Sequence, residues 1–237
     1  MDKLYIVMPA YNEEDNIKDV VDQWYPVVEK IGPECRLVVV NDGSKDNTYG
    51  MLCELAKTRP QLDPVTKPNG GHGATVIYAY KYAIEHGADY IFQTDSDGQT
   101  LPEEFWPLWE EREQCGLLIG QRAGRKDGFS RVVVTRVLRL VIWLTFGAWV
   151  KDANTPFRLM KASQLRDDVL RYVPDDFNLS NVIITVVYTK HKLGVKYYPI
   201  TFRPRQGGVN SINLKKIFKI GWKAVGDFLR IRKAIKQ

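Results

Sequence analysis

Tyr90-Ile91-Phe92-Gln93-Thr94-Asp95-Ser96-Asp97-Gly98-Gln99 is the stretch that decides the fold. Its first five residues form a short strand-like run, and the run ends at Asp95. Two carboxylates one residue apart at a strand end can both reach a hard divalent cation. Mg2+ or Mn2+ prefers oxygen ligands and is typically held by one or two carboxylates plus substrate phosphates. Gln99 can add an amide oxygen. The plainer alternative is a solvated acidic turn, which Asp and Gly both favour.

Outward from this stretch, strands and helices alternate. Leu4-Tyr5-Ile6-Val7-Met8 is an apolar run that stops at Pro9. Ile17, Val20, Val21, Trp24, Val27, Val28 and Ile31 then recur three and four apart, the spacing of a helix. Leu37-Val38-Val39-Val40 reads as a second buried strand ending in the turn Asn41-Asp42-Gly43-Ser44, with Asp46 placed to cap the next helix. A third short strand lies near Leu62 to Thr66. Asn69-Gly70-Gly71-His72-Gly73 opens a helix that runs through Ala83. Continuous apolar strands separated by helices predict an α/β domain: a mostly parallel sheet flanked by helices. Functional loops of such sheets gather at the carboxyl ends of the strands, where Tyr11, Asp42 and Asp95 fall.

The second half is less regular. Arg131 to Trp149 reads as a long helix, residues 178–191 as another, and Val195 to Phe202 as a strand before a Pro/Arg/Gly loop. Asp175-Asp176 is read as the cap of the 178–191 helix, with service as a base the alternative. No internal repeat or low-complexity linker is visible. The expected organisation is one catalytic domain over residues 1–211 and a tail over 212–237.

The chain has 237 residues, 44% apolar and 26% charged, an ordinary globular balance. No signal peptide is seen at Met1-Asp2-Lys3. The longest uncharged apolar stretch of interest, Leu140 to Val150, is eleven residues, and a bilayer span needs about 20. Cys35, Cys53 and Cys115 are scattered and lack metal-ligand spacing, so they are read as reduced thiols of a cytoplasmic protein. The net charge is +6, yet residues 212–237 carry eight Lys or Arg against one Asp, so the remainder is about −1. That distribution argues against a nucleic-acid groove. It suits a basic amphipathic helix, with Leu214, Ile217, Phe218, Trp222, Val225, Phe228 and Leu229 at near-helical spacing, lying on an anionic membrane surface. A helix packed on the domain with a solvated basic face is the alternative.

Three further groups of residues carry chemistry. Pro9-Ala10-Tyr11-Asn12-Glu13-Glu14 follows the first strand, and an Asp at the end of the second, Asp42, can accept hydrogen bonds from a nucleobase imide or a ribose. Glu13 and Glu14 could instead complement the positive end of the first helix, and Asp42 could form a local turn with Gly43. The glycines around Gly71 and His72 let backbone approach a ligand closely, although a lone His there is more often structural. Arg122, Arg131, Arg203 and Arg205 lie in or beside loops, and guanidinium forks match phosphate oxygens bidentately.

Taken together these segments resemble glycosyltransferase family 2, whose fold is the Rossmann-like GT-A fold. Pro9 to Glu14, Asn41 to Asp46, Gly70 to Ala74 and Asp95 to Gln99 occur in that family's order and at its spacing. The nearer resemblance is to the branch that glycosylates dolichyl or polyprenyl phosphate. Asp95, Asp97 and Gln99 match its Asp-x-Asp-x-Gln metal motif. Gly120-Gln121-Arg122 matches its Gly-x-Arg segment, and Asp152 to Arg158 its Asp-x(4)-Phe-Arg segment. The loop with Arg203 and Arg205 matches its donor-pyrophosphate and metal-site loop. Two departures stand out: no transmembrane helices follow the domain, and Asn41-Asp42 stands where Asp-Asp is common.

The resemblance implies an inverting transfer from a UDP- or GDP-linked sugar to a polyprenyl phosphate, with a divalent cation, Mg2+ or Mn2+, as cofactor. It implies Asp95, Asp97 and Gln99 as metal ligands, and Asp97, Asp152 and Arg122 as catalytic residues. Pro9, Ala10, Tyr11, Glu13, Asp42, Gly71, His72, Asp95, Ser96 and Arg203 fall on the nucleotide-sugar side. Arg122, Arg131, Arg203 and Arg205 fall on phosphate. The expected location is cytoplasmic, peripheral on the cytoplasmic face of the membrane. Alternatives are a family member acting on a sugar hydroxyl and a catalytically silent nucleotide-sugar-binding module.

Overall fold

The structure, a computed structural model, describes residues 2–122, 129–203 and 226–233, and for residues 129–136 the backbone alone. The elements run β1 (Leu4–Ala10), α1 (Ile17–Ile31), β2 (Arg36–Asp42), α2 (Thr48–Ala56), β3 (Leu62–Lys67), α3 (His72–Glu85), β4 (Tyr90–Gln93) and α4 (Trp106–Glu110). They continue with β5 (Leu117–Arg122), α5 (Phe129–Phe146), β6 (Arg158–Lys161), α6 (Ala162–Gln164), α7 (Ser180–Lys190) and β7 (Val195–Ile200). A last helix, α8, covers residues 226–233.

Among the described residues the strands form one seven-stranded sheet in the order β3-β2-β1-β4-β6-β5-β7. Each neighbouring pair is parallel except those made by β6, which runs antiparallel to β4 and β5. The apolar runs explain the burial: every residue of β1 is buried, as is every residue of β4. A strand covered on both faces needs apolar side chains on both. One core layer packs Tyr5, Val7, Val38 and Val40 under α3, α5 and α7, and Phe228 and Ile231 of α8 join it. The other packs Leu4, Ile6, Met8, Leu37 and Val39 under α1, α2 and α4.

The chain steps outward from β1 through β2 to β3, then returns so that β4 lies on the other side of β1. The reversal opens a crevice beyond the carboxyl ends of β1 and β4, where ligands of open α/β sheets bind. Ala10 and Asp95 stand on its two lips.

One expectation changes. α7 starts at Ser180 without a side-chain cap. Asp175 instead accepts both its hydrogen bonds from Lys81 Nζ of α3, at 2.7 Å, an attraction between opposite charges that outcompetes capping four residues away. Asp46 does act at the start of α2, its Oδ1 accepting from Thr48 N at 3.1 Å. The tail from 212 is described only over 226–233, where Phe228 stacks edge-on against Phe146 at 5.5 Å and near Phe177 at 6.0 Å. That part packs on the domain. No helix among the described residues is long and apolar enough to cross a membrane.

Candidate active site

The acidic loop after β4 is shaped by alternation. Thr94, Ser96, Gly98 and Thr100 are buried, while Asp95, Asp97 and Gln99 are half-buried. The buried members hold the loop closed: Thr94 and Thr100 join hydroxyl to hydroxyl at 2.7 Å, and Ser96 Oγ donates to Pro9 O at 2.8 Å. Gln99 N donates to Asp97 Oδ1 at 3.2 Å, which steadies that carboxylate. Gln99 also reaches across the chain. Its Nε2 donates to Arg203 O at 2.7 Å, and Arg203 N donates to Gln99 O at 2.9 Å.

Two carboxylates and an amide oxygen within five residues of one loop are an all-oxygen donor set, which fits Mg2+ or Mn2+. Among the described residues no three His, Cys, Asp or Glu side chains already form a cage. A site of one or two carboxylates completed by substrate phosphates is the ordinary arrangement for Mg2+. The residues therefore fit the ion. His72 Nε2 lies 4.0 Å from Asp95 Oδ1, so the opening of α3 adjoins the same loop.

Asp42, at the end of β2, is a hub. Its carboxylate pairs with Lys67 Nζ and accepts from Gly70 N at 2.8 Å and Gly71 N at 2.9 Å. Asn69 Nδ2 donates to its carbonyl at 2.8 Å. Burial raises the Asp42 pKa, but the bonds from Lys67, Gly70 and Thr75 outweigh it and hold the carboxyl below its ordinary value. The hub fixes Gly71 at φ +86°, a conformation that favours glycine. At Gly73 a Cβ would fall 2.1 Å from Phe177 O, so the first turn of α3 presses on the 177–178 backbone.

The β1 end is tied to the β2 end. Asn12 N donates to Ser44 Oγ at 3.0 Å, and Lys45 N donates back to Asn12 Oδ1 at 2.8 Å. Glu13 is buried. Its N–H donates to Thr48 Oγ1 and its carboxylate accepts from Asn16 Nδ2, both at 2.8 Å. Its carbonyl receives Asn16 N and Ile17 N, which start α1. Glu13 thus builds the loop, while Ala10 lies beneath and Tyr11 is exposed at the crevice mouth.

On the far side Arg122 ends β5 and grips Asp152 bidentately, Nε to Oδ2 at 3.0 Å and Nη2 to Oδ1 at 2.9 Å. Burial raises the Asp152 pKa, but Arg122, with help from Thr155 and Arg158, overcomes it and holds the carboxyl low. The Phe202 ring lies 5.3 Å from the Arg122 guanidinium carbon. Phe202 and Arg203 therefore link Arg122 to Gln99 through adjacent residues. Arg205 and the side chain of Arg131 lie outside the described residues.

Sequence reasoning missed two residues here. Lys67 has no local signal beyond its place at a strand end. Arg158 enters the sequence reading only as the end of the Asp-x(4)-Phe-Arg segment, and it is fully buried. Its guanidinium donates to the carbonyls of Ala153, Thr155 and Asn181 at 2.8 to 3.1 Å, and to Thr185 Oγ1 at 3.3 Å. It organises the segment that carries Asp152 without pairing with it.

Known proteins share this framework. Polyprenol monophosphomannose synthase of Mycolicibacterium smegmatis is 25% identical, the match covering 98% of this chain and 91% of that protein. The UDP-N-acetylglucosamine–dolichyl-phosphate N-acetylglucosaminyltransferase of Methanococcus voltae is 26% identical over 81% of this chain and 89% of its own. The solved structure of glucosyl-3-phosphoglycerate synthase from Mycobacterium tuberculosis with Mn2+, uridine-diphosphate and glucosyl-3-phosphoglycerate has a TM-score of 0.69 at 17% identity. The likeness covers 98% of this chain and 80% of that one, and it speaks to the fold. The glycosyl transferase family 2 model matches residues 5–173, from β1 through the acidic loop and the Arg122–Asp152 pair to the segment before α7, and the chain belongs to that family.

Proposed function

We propose that the chain transfers a sugar from a UDP- or GDP-linked donor to a polyprenyl phosphate, with inversion, on the cytoplasmic face of a membrane. Asp95, Asp97 and the Gln99 amide oxygen would hold Mg2+ or Mn2+, which when bound neutralises charge on the departing nucleotide. Asp42, through its hub, sets the Gly70–Gly71 backbone for the nucleoside side, with Pro9, Ala10, Tyr11 and Ser96 lining the β1 lip and Glu13 bracing it. Arg203 is tied to the cation loop and meets donor phosphate. Arg122, oriented by Asp152, meets acceptor phosphate, with Arg131 and Arg205 on the phosphate side too. On this reading residues 1–211 are catalytic and the basic tail adds affinity for the membrane.

The observation that carries the acceptor class is the state of Asp152. A hydroxyl acceptor benefits from a general base whose pKa lies near working pH. Asp152 is bidentate to Arg122 and its carboxyl is held low, which suits orientation rather than proton removal. A phosphate monoester, with its second pKa near ~6, is already largely a dianion at neutral pH and needs no base. The lipid-phosphate transferases among its relatives support the same class.

The test is transfer of labelled sugar to polyprenyl phosphate and to the matching polyprenol, with Mn2+, Mg2+ or chelator, after a thermal-shift screen of UDP- and GDP-sugars. Product only on the phosphate, lost with chelator, is expected. Product on the alcohol or on sugar hydroxyls alone would overturn the reading.

A further inference from the structure

Among the described residues, most of the exposed large apolar side chains lie on or beside α5. Val137, Leu140, Trp143 and Leu144 stand out from α5, and Trp149 follows its end; Leu144 is 62% exposed and Trp149 69%. Positions 137, 140 and 144 are spaced three and four apart, so they share one face with Trp143 beside them. The opposite face buries Ile142 and Phe146 in the core, with Leu138 and Val141 packed against it. Over residues 137–146 the helix is therefore apolar on its outside as well as its inside. A helix apolar all round is ordinarily buried, and exposed patches of this kind mark sites of interaction.

Charge decides the occupant. From Phe129 to Lys151 the sequence holds Arg131, Arg136, Arg139 and Lys151 and no Asp or Glu. α8 packs on the end of α5 through Phe228 and Phe146, and it adds exposed Leu229, Arg230 and Lys233. Its Asp227 lies 3.9 Å from Arg230. A second copy of this face would set cation against cation. An anionic lipid surface offers hydrocarbon to the stripe and phosphate to the rim, and tryptophan suits that boundary because its ring is apolar with one polar edge.

We propose that the outer face of α5, with Trp149 and Leu229, is a membrane-docking surface that inserts Leu140, Trp143 and Leu144 into an anionic bilayer. This rests on the lipid-acceptor reading and sharpens it. α5 opens seven residues after Arg122, so docking would bring the arginine read as the acceptor's partner to the headgroup layer.

The test uses the whole chain and vesicles of phosphatidylcholine with and without phosphatidylglycerol. Flotation measures binding, and brominated acyl chains report tryptophan insertion by quenching. Leu140→Gln with Leu144→Gln changes only exposed side chains and should keep the wild-type circular dichroism and Tm. The pair should lower flotation on anionic vesicles at least tenfold and weaken quenching, while transfer to a short water-soluble isoprenyl phosphate stays at the wild-type rate. A Trp143→Gln variant should fall in the same direction.

Flotation that survives the α5 changes but is lost when Lys215, Lys216 and Lys219, three of the eight basic residues of the 212–237 tail, become Gln would overturn the proposal in favour of the tail. So would a dimer in sedimentation that the same α5 changes dissociate, with no vesicle binding. Wild-type insertion without transfer to any lipid phosphate would support this face and sink the acceptor reading alone.

Discussion

Arg122 and Asp152, thirty residues apart, face each other in a two-point grip at 3.0 and 2.9 Å with both side chains largely buried. Such a fork fixes the guanidinium plane as well as its position. Asp152→Asn should therefore lower kcat/KM for the phosphate acceptor by disordering Arg122, yet leave the shape of the pH–rate profile unchanged. Rates measured from pH 5 to 9 for both proteins check this. An acidic limb present in the wild type and absent in the mutant would instead identify Asp152 as a base.

Asp42 and Lys67 give a stability prediction. Removing one partner of a buried ion pair leaves an uncompensated charge, which costs about 3 kcal/mol or more. Lys67→Met should destabilise by about that amount and raise the donor KM, because the Gly70–Gly71 loop hangs on the Asp42 carboxylate. Since the folded pKa of Asp42 lies below its ordinary 3.8, the unfolded chain binds the proton more readily. The pair's contribution is then full above that ordinary value and drains away as pH falls through the folded pKa. Urea midpoints of wild type and Lys67→Met should converge toward the acid end of that window, and a constant gap there would refute the account.

Arg158 makes its case through carbonyls. Arg158→Met would take the guanidinium from three buried backbone oxygens; Thr185 Oγ1 still reaches those of Ala153 and Asn181, while that of Thr155 loses both its guanidinium bonds. An oxygen left unsatisfied costs about 1 to 3 kcal/mol, and a loss of at least about 1 kcal/mol is expected. Arg158→Lys should also destabilise, since a point charge cannot reproduce the planar fork. Urea unfolding should show lower midpoints at unchanged m-value. A near-neutral Arg158→Met would mean that the carbonyls find other donors.

Asp97 tests the cation. Asp97→Asn should preserve the circular dichroism and the Tm without ligands, but abolish the extra stabilisation that Mn2+ gives in the presence of donor. Turnover should drop about 100-fold or more, as loss of Lewis-acid stabilisation is worth several kcal/mol. Wild-type turnover in the folded mutant would defeat the assignment.

Legibility in the sequence divides along physical lines. β1, β2 and β4 are continuous apolar runs and α1 repeats with a helical period, so local pattern was sufficient to place them. The places of the acidic loop, the Gly71 loop and Asp42 were legible because each follows a strand or opens a helix that local pattern marks. β6 was not, since four residues after an irregular stretch leave no period to detect, and its reversed direction depends on β4 and β5. Lys67 with Asp42, Arg122 with Asp152 and Lys81 with Asp175 are pairings across 25, 30 and 94 residues. No spacing rule encodes such pairs, because they exist only once the strands are laid side by side.

Gln99 and Arg203 are hydrogen-bonded across 104 residues of chain, and Arg203 follows β7, the edge strand that pairs with β5. On a ribosome the acidic loop is made long before that partner emerges. Domains fold as units, and contacts of such separation close late because the loop entropy must be met first. A nascent chain halted before Ile200 would hold both carboxylates, Asp42 and the glycine loop, yet lack the backbone that braces Gln99. On the proposed function, competence to bind donor then arrives with β7, so an incomplete product of synthesis would be silent rather than half-active.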